Sequence, residues 1–403
     1  MGRSHAIYMA IIAFLIIITI ITSAKSVRAH RIMTDIEIRY GIHESVIAAI
    51  PRSAPLRQMS TADLLRPRTF IQYQKEIDDL IVRAQALEEF GDSTQLSEAC
   101  SKALGGGKRI RAVVLLEIAR TASIRAQITS PVDAGEAALF IEYIHAASLA
   151  IDDLPMFDND QLRRGRASLH EEMGCATAQM AAVALISAAL QNICRQVDWL
   201  HANCPEINNV DRIGMRLCAL ASRTLGVFGA SGGQLLEMSP EDWTSGHGIV
   251  ERVAVMKTAS LFELAVGMGW LVAGGDPGDL EQMTLLGRHF GLAFQIADDI
   301  GDMAQDAARA TPVRPDCNYA NRFGRNIAHL DLERHLRGAE LVLRRERMWS
   351  PLWEGELFPA VRAMCCPPGP AAAPHPPASA ADPCPPASAA DPPDSAAHKL
   401  SSD

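Results

Sequence analysis

The residues best suited to chemistry are aspartates that occur in two bursts within otherwise apolar, helix-forming sequence. Residues 152–160 read DDLPMFDND and residues 294–302 read FQIADDIGD. Carboxylates in an apolar helical core are costly unless a partner compensates their charge. One burst alone could be a solvated helix end, but two bursts in apolar surroundings argue against that interpretation. Because no His or Cys accompanies them, these oxygen ligands suit Mg²⁺, which often also binds phosphate.

Basic residues accompany both aspartate bursts. GGGKRIR occupies residues 105–111, LRRGR (162–166) follows the first burst directly, and Lys257 lies between the two bursts. Arginine binds phosphate oxygens through paired hydrogen bonds, and lysine supplies a point charge. Any one stretch could be a solvated basic turn. Their alternation with the acidic bursts predicts a site for a metal-bound diphosphate.

The elements that must position these residues are helices. Prolines, which interrupt helices, divide the middle of the chain at positions 155, 205, 240, 277 and 312. The intervals between them are rich in Ala, Leu, Met, Gln and Glu, which favour helix. The segment from Ala137 to Ile151 is apolar nearly all round, so it must be buried on most sides. An all-α fold follows, a single large helical bundle.

Composition excludes several other classes of protein. The chain has 403 residues and a formal net charge of −9, which argues against a nucleic-acid binder. A hydrophobic content of 48% excludes a wholly disordered chain. Nine cysteines without a C-x-x-C pair argue against a disulfide scaffold or a structural zinc site, and favour a reducing compartment.

The two ends of the chain differ from the middle. Residues 6–24 carry no charge over a length that could cross a bilayer, so residues 1–30 are predicted to be a transmembrane anchor or a signal segment. Basic residues just after this span favour a membrane-anchored protein with a cytoplasmic catalytic domain. Residues 31–67 would be a linker and residues 68–350 the catalytic bundle. Residues 351–403 would be a disordered Pro/Ala-rich tail, in which PPASAADP occurs twice.

The order of these motifs resembles that of the trans-isoprenyl diphosphate synthases, and most of all the geranylgeranyl diphosphate synthases. Between Leu104 and Asp302 the chain carries GGKRxR, IH, DDxxxxDxDxLRRG, GGQ, KT and FQxxDDxxD in this order. The resemblance implies an all-α, homodimeric, Mg²⁺-dependent enzyme. Such an enzyme condenses isopentenyl diphosphate with an allylic diphosphate (dimethylallyl, geranyl or farnesyl) by ionisation, condensation and elimination.

The resemblance also implies roles for individual residues. Mg²⁺ would be held by Asp152, Asp158, Asp298 and Asp302. The catalytic centre would further include Asp153, Asp299 and Lys257. Isopentenyl diphosphate would be bound by Lys108, Arg111, His145 and Arg164. The allylic diphosphate would be bound by Arg163, Lys257, Thr258 and Gln295.

Product length in this family depends on the residues four and five positions before the first aspartate. These are Ser148 and Ala147, and both are small. Together with the spacing of the aspartates in DDLPMFD, they imply a twenty-carbon product, geranylgeranyl diphosphate. A farnesyl diphosphate synthase is the alternative with a shorter product.

The chain departs from the family after Asp302. Two lysines are expected there, but residues 308–324 contain Arg309, Arg314 and Arg322 and no lysine. This difference leaves open a non-catalytic regulatory subunit of a prenyl diphosphate synthase, although the intact aspartates argue against it. A class I terpene cyclase would share the aspartate motif but would not need GGKRxR and a second diphosphate pocket.

Overall fold

A computed structural model describes residues 66–86, 94–128, 132–239, 248–310 and 316–365. Within these ranges the chain is an all-α bundle, as the sequence predicts. The predicted anchor or signal segment and nearly all of the predicted linker lie outside the described residues. So does the part of the predicted tail from residue 366 onwards, which includes both copies of PPASAADP.

The described part of the chain consists of helices and one short hairpin. The α-helices are α1 (Phe70–Ala86), α2 (Thr94–Leu104), α3 (Ile110–Arg125), α4 (Gly135–Asp152), α5 (Leu169–Met173), α6 (Cys175–Asn203), α7 (Val210–Leu225), α8 (Ala230–Glu237), α9 (Gly248–Val253), α10 (Ser260–Val272), α11 (Leu280–Arg309), α12 (Tyr319–Phe323), α13 (Arg325–Arg345) and α14 (Phe358–Ala363). Shorter segments are the π-helices Ala254–Ala259 and Trp353–Leu357 and the 3-10 helix Pro277–Asp279. Strands β1 (Leu162–Arg163) and β2 (Arg166–Ala167) pair antiparallel.

Helices α3, α4, α10 and α11 form the centre of the bundle. Helix α10 packs against α3 and α11, α4 packs against α6, and α11 also packs against α13. Helix α4 is buried on most sides, as its apolar sequence predicts, and every residue of α10 is buried. Fully buried aromatics such as Phe140, Phe262 and Phe290 stabilise this centre by roughly 2–3 kcal/mol each.

Two described helical stretches are long and apolar enough to cross a membrane, judged by length and composition. They are Cys175–Asn203 and Gly248–Val272. The second stretch is 78% buried over its most apolar part, and the first is 44% buried. Both pack against other helices of the bundle, so this length and composition suit core helices as well as spans.

The predicted start of the disordered tail at residue 351 is wrong, because the bundle continues. Residues Trp353–Leu357 and Phe358–Ala363 are helical, and α14 packs against α11. Trp353 is fully buried and meets the ring of Phe290 edge-on, with centroids 5.2 Å apart. Aromatic burial at these positions outweighs the Pro/Ala-rich character of the sequence that follows. The helical bundle therefore extends at least to Ala363.

Candidate active site

Two adjacent cavities contain most of the predicted site residues. The first, here called the acidic cavity, has a volume of about 300 Å³. Its carboxylates are Asp152, Asp158, Glu237, Asp298, Asp299, Asp302, Asp306 and Asp316. Its cations are Arg163, Lys257 and Arg309. Both aspartate bursts therefore face one space, although about 145 residues of sequence separate them.

Helix ends and helical spacing bring these carboxylates together. Asp152 is the last residue of α4, and a turn then brings Asp158 back beside it, where the Asp158 amide donates to the Asp152 carbonyl at 2.8 Å. On α11, Asp298, Asp302 and Asp306 follow one another at intervals of four residues. This interval places all three on one face of the helix.

Asp153 faces away from the acidic cavity. Arg163 Nε donates to the Asp153 carboxylate oxygens at 2.9 and 3.2 Å, and Arg163 Nη2 donates to Asp160 at 3.0 Å. Asp153 is 2% exposed and lines a separate cavity near Gly105. Asp153, which the sequence analysis assigns to the catalytic centre, is therefore the counter-ion of Arg163 in the structure.

Asp299 is held by donors on both carboxylate oxygens. Gln295 Nε2 donates to Oδ1 and the Tyr319 amide donates to Oδ2, each at 2.7 Å. Asn318 Nδ2 donates to the Asp299 carbonyl, also at 2.7 Å. Burial raises the pKa of Asp299 to about 8 in spite of these donors. Asp299 thus fixes the segment after α11, and Thr258, whose Oγ1 donates to Gln295 Oε1 at 2.6 Å, completes the chain of hydrogen bonds.

Lys257 lies in the π-helix Ala254–Ala259, where the GGQ motif approaches closely. A Cβ on Gly233 would lie 2.5 Å from the Lys257 backbone nitrogen, so only glycine fits. The ammonium of Lys257 donates to Glu237 Oε2 at 2.5 Å. Burial alone would lower the pKa of Lys257, but the charges of Glu237, Asp158 and Asp152 outweigh burial and raise it. Lys257 is therefore charged in the acidic cavity.

The second cavity, here called the basic cavity, has a volume of about 380 Å³. It is lined by the four residues predicted to bind isopentenyl diphosphate: Lys108, Arg111, His145 and Arg164. The two cavities share a wall formed by Leu149, Arg163, Thr258, Gln295 and Asp298. A ligand in one cavity would therefore lie beside a ligand in the other.

Arg111 and His145 form a prepared pair of donors in the basic cavity. Arg111 Nη1 lies 3.3 Å from His145 Nε2, and since arginine can only donate, Nε2 accepts and the proton is on Nδ1. Burial and the nearby arginines lower the pKa of His145 well below its usual value, so the ring is neutral. The Nδ1 atom is buried without a hydrogen-bond partner among the described residues. It is a buried donor whose hydrogen bond remains to be satisfied.

The glycine turn holds Arg164 in the basic cavity. Arg164 Nη1 donates to the carbonyls of Gly105 at 2.9 Å and Gly106 at 3.0 Å. Gly107 has φ +99°, and a Cβ there would lie 2.7 Å from the Arg164 guanidinium carbon. The turn therefore needs glycine both for its backbone angle and for the close approach of the guanidinium.

Arg109, the other arginine of this turn, has a structural role. Its guanidinium donates to Asp78 at 2.9 Å, to Glu142 at 3.0 Å and to the Leu104 carbonyl at 2.7 Å. It is 6% exposed, so these partners compensate the buried charge.

The residues predicted to set product length lie on α4, just before Asp152. Ala147 is 1% exposed, and Ser148 donates its hydroxyl to the His145 carbonyl at 2.9 Å. Neither lines the acidic or the basic cavity. Their role stays a prediction.

The acidic cavity suits a hard divalent cation. Burial raises the pKa of both Asp152 and Asp298 to about 6, and neighbouring carboxylates add to the effect. A cation would relieve this crowding of like charges, and carboxylate oxygens are ligands that Mg²⁺ accepts. Among the described residues no three acidic, His or Cys side chains come close enough to hold a metal unaided. A diphosphate would have to supply further ligands.

Several residues of the acidic cavity were not predicted from the sequence: Asp306, Arg309, Asp316 and Asn318. Asp306 continues the four-residue spacing of Asp298 and Asp302, so the sequence alone could have identified it as a residue of this site. Asn318 carries no such signal, because its place depends on how the chain folds back after α11.

A family model described as polyprenyl synthetase matches residues 93–315. The trans-prenyltransferase of African swine fever virus (isolate Pig/Kenya/KEN-50/1950) is 33% identical over 359 residues, which covers 89% of this chain and 97% of that protein. The farnesyl diphosphate synthase of Escherichia coli (strain K12) is 38% identical over 208 residues, covering 51% of this chain and 65% of that protein.

Solved structures share the fold. The apo structure of an FPP/GFPP synthase from Zymomonas mobilis superposes with a TM-score of 0.57 at 24% identity, covering 74% of this chain and all of that one. A geranyltransferase from Legionella pneumophila gives a TM-score of 0.58 at 23% identity, covering 73% of this chain and 95% of that one. These likenesses support the helical architecture.

Proposed function

The chain belongs to the polyprenyl synthetase family, and we propose that it is a prenyl diphosphate synthase. It would condense isopentenyl diphosphate with an allylic diphosphate, releasing inorganic diphosphate and giving a longer prenyl diphosphate. The observation that carries this proposal is the shared wall between a basic and an acidic cavity. One cavity suits a free diphosphate and the other suits a diphosphate bound through a metal.

The acidic cavity would bind the allylic substrate. Asp152, Asp158, Asp298 and Asp302 would hold Mg²⁺, which when bound stabilises negative charge on the leaving diphosphate. Arg163 and Lys257 line the same space and would orient that diphosphate.

The basic cavity would bind isopentenyl diphosphate. Lys108, Arg111 and Arg164 offer positive charge, and His145 offers Nδ1–H as a neutral donor. Because the cavities adjoin, the double bond of isopentenyl diphosphate can reach the carbon left by cleavage of the allylic C–O bond. The new C–C bond forms there, and the proton then lost can pass to the released diphosphate.

Water must be kept from the allylic cation. Phe294 and Leu149 line the basic cavity, and Arg111 lies over the ring of Phe262 at 4.8 Å from the centroid. Such apolar walls strengthen electrostatic interactions and exclude water as a competing nucleophile.

The product would have twenty carbons, geranylgeranyl diphosphate. Support comes from the small side chains at Ala147 and Ser148 on α4, just before the acidic cavity. Farnesyl diphosphate is the alternative product, and the similarity to the Escherichia coli farnesyl diphosphate synthase supports that alternative.

We further propose a homodimer. Large apolar side chains on α6 are exposed at Met180 (54%), Val183 (54%) and Ile186 (38%). An exposed apolar row of this kind is typical of a protein interface. Membrane association through residues 6–24, with a cytoplasmic catalytic domain, also remains our proposal.

The alternative of a regulatory subunit has one observation in its favour. The family is expected to have two lysines after Asp302. In this chain the same segment instead contributes Arg309 and Asp316 to the acidic cavity. An active enzyme remains the better supported function, because both aspartate motifs and the basic cavity are complete.

Metal dependence of binding tests the two-cavity proposal. We expect isopentenyl diphosphate to bind the full chain equally well with and without Mg²⁺ in titration calorimetry. An analogue of farnesyl diphosphate in which sulfur replaces the bridging oxygen, so that the bond to the diphosphate resists cleavage, should bind only with Mg²⁺. Equal metal dependence for both ligands would contradict the proposed division of the site.

A further inference from the structure

Arg309 ends the helix that carries the second aspartate motif. It follows Asp302 and Asp306 along α11 and lines the acidic cavity with them. Its side chain is 50% exposed, and its Nη2 atom lies 3.2 Å from Asp160 Oδ1. Asp160 belongs to the turn after α4, within the first aspartate burst. The ion pair therefore joins the two segments that supply carboxylates to the cavity.

Asp160 is shared between two arginines. Arg163 Nη2 donates to Asp160 Oδ2 at 3.0 Å, and Arg163 also pairs with the buried Asp153 at the end of α4. The charges alternate along this row from Asp153 through Arg163 and Asp160 to Arg309. The row is anchored in α4 at one end and in α11 at the other.

The ion pair between Arg309 and Asp160 opposes an electrostatic repulsion between the two segments. The carboxylates of the two segments face each other with the same charge, and like charges at short range push their segments apart. A metal-bound diphosphate needs both sets at a fixed separation. An ion pair that spans the segments opposes this repulsion before any metal arrives. Since Arg309 is half exposed, water screens the pair, and it can open to admit a ligand.

We propose that Arg309 and Asp160 form a clasp that holds the two aspartate segments at the separation required for a metal-bound diphosphate. Arg309 is thus a positioning residue, which acts through Asp160. The inference rests on the proposed function and specifies how this chain organises that site.

The test measures binding of Mg²⁺ with inorganic diphosphate to the full chain by titration calorimetry. We expect Arg309→Gln and Asp160→Asn each to weaken binding about tenfold, and Arg309→Lys to retain it within about threefold. The double variant Arg309→Gln with Asp160→Asn should lose less affinity than the two single losses combined, because each single change already breaks the pair. The matched control is Arg344→Gln, since Arg344 is 52% exposed, pairs with Glu340 on α13 and does not line the acidic cavity.

A second measurement separates positioning from general damage. With substrates, Arg309→Gln should raise the Mg²⁺ concentration for half-maximal rate and the KM for the allylic diphosphate. The KM for isopentenyl diphosphate and the melting temperature should stay unchanged.

Each outcome decides between the two proposals. Unchanged Mg²⁺–diphosphate affinity in Arg309→Gln, fully additive losses in the double variant, or no binding by the unsubstituted chain would overturn the clasp. If binding follows the expected pattern but the chain forms no prenyl diphosphate, the clasp stands and the proposed function fails.

Discussion

Asp152 and Asp153 are neighbours in the sequence, but they line different cavities. Asp152 faces the acidic cavity, whereas Asp153 is buried against Arg163 on the other side of the end of α4. Successive residues at a helix end point in different directions, so one motif can supply both a proposed metal ligand and the counter-ion of an arginine proposed to bind substrate.

This division predicts different consequences for two similar substitutions. Asp152→Ala should lower kcat by about 10²-fold or more, because one of the proposed Mg²⁺ ligands is lost, and should leave the melting temperature unchanged or higher. Asp153→Asn should destabilise the fold by roughly 1–2 kcal/mol, because Arg163 loses its buried partner but is one third exposed and keeps Asp160. Urea unfolding and steady-state rates on both variants check this. If the Asp153→Asn protein were fully folded and still lost more of its kcat than the Asp152→Ala protein, the two roles would be reversed.

Product length should respond to bulk on α4. Ser148→Phe is expected to shorten the main product from twenty to fifteen carbons, because the ring would fill space needed by the growing chain. Ser148→Ala, which removes the hydroxyl contact to the His145 carbonyl but adds no bulk, is the control. Chromatography of the dephosphorylated products gives the answer. Unchanged products from Ser148→Phe would remove Ser148 from the determination of length.

The histidine pair between α11 and α13 should make stability depend on pH. His289 Nδ1 and His335 Nδ1 lie 3.0 Å apart, so one ring must be neutral and accept. Burial, followed by the charges of His289 and Arg334, lowers the pKa of His335 to about 4. Since the folded pKa lies below the unfolded value of about 6.5, the stability is fully present above pH 6.5 and is lost as pH falls towards 4.

The loss should reach about 3 kcal/mol between these limits. Urea unfolding of the protein and of His335→Gln at several pH values measures it. Carboxylates that titrate in the same range act in both proteins and cancel in the comparison. Identical pH profiles for the two proteins would show that the pair does not control stability.

The apolar row on α6 should hold two copies of the chain together. Val183→Arg is expected to shift the protein from dimer to monomer in light scattering, because it places charge in an apolar interface. Leu330→Arg is the control, since Leu330 is exposed on α13, far along the chain from this row. A Val183→Arg protein of unchanged mass would exclude this face as the interface.

The sequence predicts the architecture and most of the site for physical reasons that can be stated. Apolar composition identifies α4 and α10 as buried helices, and costly aspartates next to them mark the acidic cavity. The apolar residues Trp353, Leu357 and Val361, each four positions apart and so on one side of a helix, were a usable signal that the bundle continues past residue 350. The Pro/Ala-rich sequence after it obscured that signal.

Other features depend on contacts that no local pattern encodes. The direction of Asp153 is set by how the chain turns after α4. The contacts of Asn318 and Tyr319 with Asp299 arise only when the chain folds back after α11. The clasp between Arg309 and Asp160 likewise joins two residues that are far apart in the sequence, so no helical or strand periodicity relates them.

Product formation tests the central claim most directly. The full chain, kept in detergent, is incubated with Mg²⁺, labelled isopentenyl diphosphate and, in separate reactions, dimethylallyl, geranyl or farnesyl diphosphate, with the Asp152→Ala protein in parallel. We predict a labelled twenty-carbon diphosphate from the unsubstituted chain and none from Asp152→Ala. A folded, unsubstituted chain that elongates none of the three acceptors would contradict the assignment as a prenyl diphosphate synthase.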